Sequence, residues 1–73
     1  MKVEFSDHAR HQRKKRAIDR IHILDTVKNP DEVINSYRSR KLYRKWIQRK
    51  LLEVVTVKER DTIIIVTAYY LDK

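Results

Sequence analysis

The sequence predicts an α+β domain of order β-α-α-β-β-β-β, with two N-terminal helices packed on one face of a twisted antiparallel sheet. Three features of the chain point to it. Two stretches between Asp7 and Lys28 follow good capping residues and place apolar side chains at helical spacing, and period two takes over after Pro30. The polar tetrapeptide Lys58-Glu59-Arg60-Asp61 then divides the apolar C-terminal stretch into a hairpin.

Lys2-Val3-Glu4-Phe5 alternates polar and apolar, as a short half-buried strand does. Ser6 is a good N-cap, and Asp7 puts a carboxylate in the first turn, where the helix dipole favours it. The first helix spans about 7–15. Its stripe of Phe5, Ala9, Gln12 and Arg16 is narrow, so His8, His11, Arg10, Arg13, Lys14 and Lys15 face solvent. Asp19 caps a second helix carrying Ile23, Leu24 and Val27, with Ile18 placed to staple toward Ile23. Asn29-Pro30 ends it, because proline disfavours α geometry in the residue before it. Strands follow over 33–37, 42–48, 51–58 and 62–71. In the last, strict alternation points Ile63, Ile65 and Leu71 one way and Ile64, Val66 and Ala68 the other, so both faces are apolar. Two short helices cover only one face, which leaves the other to a curled sheet, a second copy or a protein partner, and a homodimer or a protein partner is favoured.

Composition narrows the function classes. A chain of 73 residues is one domain with a thin core, burying about 60% of its unfolded surface, and a large enzyme is excluded. Glycine is absent, so no phosphate loop, dinucleotide fingerprint or nucleophile elbow can form. Cysteine is absent as well, which removes thiolate chemistry, disulfides and Cys-type metal sites. No apolar run approaches membrane-spanning length and no signal-type segment is present, so the expected setting is the cytoplasm, without membrane association.

Eighteen Lys and Arg against ten Asp and Glu give a net charge of +8. Between Arg10 and Lys50 fourteen bases face four acids, a segment of +10, and the two ends are slightly acidic. Arg13-Lys14-Lys15-Arg16 contains no acid at all, unlike the mixed surface that solubility asks for. Such a segment attracts polyanions. The competing interpretation is a solvated surface that keeps a small protein soluble, with extra ion pairs for heat tolerance.

The string His8-Ala9, then Arg16-Ala17-Ile18, Val27 with Asn29-Pro30-Asp31-Glu32-Val33, Leu42-Tyr43-Arg44-Lys45 and Ile65-Val66-Thr67-Ala68-Tyr69 resembles a widespread family of small prokaryotic proteins catalogued as a domain of unknown function. That family is similar in fold to the RelE/ParE toxin superfamily, whose wider group includes the colicin D and E5 nuclease domains. The resemblance implies one RelE-like domain over 1–73. It also implies binding to RNA, at the ribosome in many relatives, metal-independent endoribonuclease activity, and a short acidic antitoxin as partner; ParE-like relatives act on DNA gyrase instead. The family has glycine at Ala17 and often between the third and fourth strands, where this chain has Gln48-Arg49-Lys50, and these departures imply tightened or helically closed connections.

RNA cleavage without a metal needs a base for the 2′-hydroxyl, an acid for the leaving oxygen and cations on the phosphate. His8, which matches the family's His-Ala motif, is the first candidate for base or acid, with Tyr69 or Tyr70 as partner. Arg16, Arg40 or Arg44 would hold phosphate, and Arg10, Arg13, Lys14, Tyr43 and Lys45 complete the expected nucleic-acid surface. Each has a plainer interpretation. His8 can cap the sheet edge, His11 can be solvated and His22 structural, and Trp46 and Leu42 can be core with Tyr43 on the rim and the cations snorkelling to water. His8 and His11 with a carboxylate such as Asp7 lack a third fixed ligand, so neither metal nor cofactor is expected. The alternative to a nuclease is a non-catalytic nucleic-acid-binding or protein-interaction module.

Overall fold

The computed structural model describes residues 2–71. Strand β1 (Lys2–Phe5) leads into helices α1 (Asp7–Lys15) and α2 (Arg20–Lys28), followed by β2 (Glu32–Asn35), β3 (Arg40–Ile47), β4 (Lys50–Glu59) and β5 (Thr62–Leu71). The caps form as expected. The Ser6 hydroxyl accepts from the Ala9 N–H at 3.0 Å, and Asp19 accepts from the Ile21 N–H at 3.0 Å. Helix α1 ends in a Schellman motif: the Ile18 N–H donates to the Arg13 carbonyl and the Ala17 N–H to the Lys14 carbonyl, with Ala17 at φ 55°. This is the left-handed position that glycine ordinarily takes. Gln48 likewise has φ 59°, so neither connection is helical; non-glycine residues hold the backbone a glycine would hold.

The five strands form one sheet in the order β1-β5-β4-β3-β2. The element order is the expected one, but the sheet is mixed: β1 lies parallel to β5, and the other pairs are antiparallel. The two helices carry the chain from β1 at one edge of the sheet to β2 at the other, and the antiparallel run β2-β3-β4-β5 returns it so that β5 arrives beside β1 and parallel to it. Ala9, Ile18, Ile23 and Val27 from the helical segment pack on Leu52, Val54, Ile63, Ile65 and Ala68 of β4 and β5, so both helices cover the same face. Val66 is the extra residue of a β-bulge, because Val55 pairs with Thr67 and Thr56 with Ile65. The bulge reverses the phase of β5. Ala68 thus joins Ile63 and Ile65 in the core, and Leu71 goes to the far face with Ile64, opposite to strict alternation.

Candidate nucleic-acid interface

Arg10, Arg13 and Lys14 lie three and four residues apart, hence on one stripe of α1. The turn after α1 brings Arg20, the first residue of α2, back beside them, and its guanidinium stands 5.6 Å from the centre of the Phe5 ring. Together with Val3, Glu4 and Phe5 of β1 these four cations line an open groove of about 620 Å³. Among the described residues none of the four makes an ion pair. Arg13 does donate to the Ile18 carbonyl at 3.4 Å, which holds its stem against the turn. Four like charges converge with one carboxylate, Glu4, in the lining, so the groove is electropositive, and among the described residues none of its cations is neutralised by an ion pair.

The remaining expected phosphate ligands are placed elsewhere. Arg44 donates from Nε to Glu53 at 2.6 Å and approaches Glu32 at 3.6 Å, and the bond to Glu53 raises its pKa further. Lys45 donates to the Asn29 carbonyl at 2.9 Å and lies 3.9 Å from Asp25. Tyr43 packs against the core on the helix-covered face. Arg40 is exposed at the start of β3. Arg16 donates to the Ala68 carbonyl at 2.9 Å and to Thr67 Oγ1 at 3.3 Å, closing the edge of β5 beyond the reach of β1. On β3, Leu42, Arg44 and Trp46 point away from the helices, so Trp46 is 52% exposed rather than core. The structure thus gathers Arg10, Arg13 and Lys14 into one site and leaves Arg16, Arg40, Tyr43, Arg44 and Lys45 outside it. Arg20 belongs to the site; its signal in the sequence was only its place directly after the Asp19 cap, at the start of α2.

The candidates for proton transfer are separated. Tyr69 lies on the open face, where its hydroxyl donates to Glu53 and its ring sits 5.9 Å from the Arg16 guanidinium. Burial, the hydrogen bond and the charge of Glu53 push the phenol up to about 12. Tyr70 points the other way, against the core, with Lys50 5.3 Å from its ring. His8 is exposed at the start of α1, about 12 Å along the helix from Arg16 at 1.5 Å per residue, and its side chain makes no hydrogen bond among the described residues. The two tyrosines thus lie on opposite faces of β5, and no hydrogen bond joins His8 to either of them among the described residues. Among the described residues no group of three or more His, Asp or Glu side chains could hold a metal ion, and no helix is long and apolar enough to cross a membrane.

Residues 5–70 match a family model described as Domain of unknown function (DUF4258). No curated protein and no solved structure matches.

Proposed function

The chain belongs to this family, whose description carries no activity, and from its own geometry we propose that it binds RNA by the phosphate backbone without cutting it. The observation that carries the proposal is the groove between β1, α1 and the start of α2, where Arg10, Arg13, Lys14 and Arg20 converge without ion pairs among the described residues. A protein cation already engaged by a carboxylate gains little from a phosphate, whereas a free one releases condensed counterions from the nucleic acid. Phe5 adds an aromatic surface in the same groove, although Arg20 already stands over its ring. The preference for RNA over DNA rests on the resemblance in fold between this family and RelE-like proteins that the sequence suggests. Cleavage is disfavoured by the separation of His8, Tyr69 and Tyr70.

Salt titration of the protein against a short single-stranded RNA tests this. Four phosphate contacts give a slope of log affinity against log salt of about −3, and the double variant Arg13→Ala, Lys14→Ala makes it shallower by about 1.4. Lys45→Ala, which removes a cation already held by Asp25, leaves the slope unchanged. A slope near zero overturns the binding site. His8→Ala keeps wild-type affinity, and a mixed RNA pool stays intact; cleavage that survives chelator and is lost in His8→Ala overturns binding without cleavage.

A further inference from the structure

We propose that the open face of the sheet is closed by a second copy of this chain, in a face-to-face two-fold dimer whose axis runs parallel to the strands. The face is organised in rows across the strands. Glu32, Arg44, Glu53 and Tyr69 are successive cross-strand partners from β2 to β5, and Arg16 extends the row past the edge of β5 by lying over the Tyr69 ring. On one side of this row stand Trp46, Leu51 and Leu71; on the other stand Ile34, Leu42 and Val55. The surface is therefore apolar on both sides of one polar line.

Two properties select a second copy as the occupant. The first is charge. Although the molecule carries +8, the described residues of this face are balanced: the row sets Arg16 and Arg44 against Glu32 and Glu53, and nearer the other end Lys2 and Arg40 stand against Glu4 and Glu59. The four cations of the groove belong to α1 and the start of α2, outside these rows, so two copies meet through neutral surfaces. The row is also polar from end to end, with an exposed carboxylate at the β2 edge and a guanidinium at the β5 edge. A two-fold axis along the strands reverses it and sets each Glu32 opposite the partner's Arg16, and each Arg44 over the partner's Tyr69. Glu53, which ends opposite its own copy, is 4% exposed and already held by Arg44 and Tyr69.

The second property is area. The molecule measures 33 × 24 × 21 Å, and five strands of up to ten residues lie in its broad plane. The rectangle that bounds this side is about 800 Å², an upper limit that reaches what a standard-size interface buries per partner. Aligned packing of two sheets also buries Trp46 between them.

Sedimentation equilibrium of the full chain, from low micromolar to submillimolar concentration, decides the matter. The expected mass rises to twice the 8.9 kDa of one chain, with a blue shift of the Trp46 fluorescence over the same range. Glu32→Arg weakens the dimer at least about tenfold, because it brings two guanidinium groups together across the interface. The double variant Glu32→Arg, Arg16→Glu restores association to within about threefold of wild type. Circular dichroism establishes that each variant is folded, and Trp46→Lys, at an exposed position, gives a monomer that keeps the native spectrum. A wild-type mass that stays at one chain throughout overturns the proposal, whatever else binds the face. A dimer that the double charge reversal fails to restore overturns it too, since the copies then meet by another surface or axis.

Discussion

Ala17, Arg38, Ser39, Gln48 and Arg60 hold φ between 55° and 62°, left-handed backbone in a chain that has no glycine. In that region the Cβ crowds the following carbonyl, at about 1–2 kcal/mol per residue. Arg38 and Ser39 form the tip between β2 and β3, where two consecutive positive φ values match the twist of the hairpin, and Gln48 and Arg60 each begin a two-residue hairpin loop. Ala17→Gly and Gln48→Gly are each expected to raise stability by up to about 1 kcal/mol, because relief of the Cβ clash exceeds the extra freedom glycine gives the unfolded chain. In urea the midpoint moves up with an unchanged m-value; a fall in midpoint refutes it. At Tyr69 burial and the bond to Glu53 push the folded phenol up to about 12 from about 10 when unfolded, so its contribution is complete below pH 10 and is lost as pH rises toward 12. Stability of the wild type is expected to fall more steeply over that window than stability of Tyr69→Phe, and parallel curves would show that the phenol adds no linkage.

At the scale of elements, the bulge at Val66 and the cross-strand row it aligns are the decisive features of the sheet. Because Val66 takes up one residue, Thr67, Tyr69 and Leu71 share the open face with Ile64, and Tyr69 arrives directly opposite Glu53. Glu53 is a nearly buried carboxylate whose partners both come from neighbouring strands. Removing Arg44 leaves that charge short of its cation in a site water barely reaches, so Arg44→Ala is expected to cost about 3 kcal/mol. The exposed pair of Lys45 and Asp25, at 3.9 Å, sets the contrast: Asp25→Ala is expected to cost less than about 1 kcal/mol. Thermal or urea unfolding of the two variants side by side measures the difference, and equal losses would mean that burial of Glu53 carries no weight. Such a row is invisible to period-two reasoning, which places Arg44 with Leu42 and Trp46 but leaves open which face carries them.

The whole molecule separates its charge from its apolar surface. Helices α1 and α2 carry the free cations of the groove on one side, while the sheet turns a balanced, largely apolar face to the other. A face-to-face dimer would leave both grooves outward, so one RNA could engage two of them and gain by effective concentration. The sequence by itself determined the element order, both helix caps, the stop at Pro30 and the basic segment, because capping, proline geometry and charge density act between residues close along the chain. It also contained the opposition of Tyr69 and Tyr70, a matter of neighbouring residues on a strand. Only the tertiary structure decided that β1 runs parallel to β5, that Trp46 faces out, that Arg44 and Lys45 are spoken for, and that Arg20 joins Arg10, Arg13 and Lys14. Each of these depends on which distant segment a residue meets. A chain's local pattern shows that a side chain seeks a partner, and the register of the sheet determines which partner it finds.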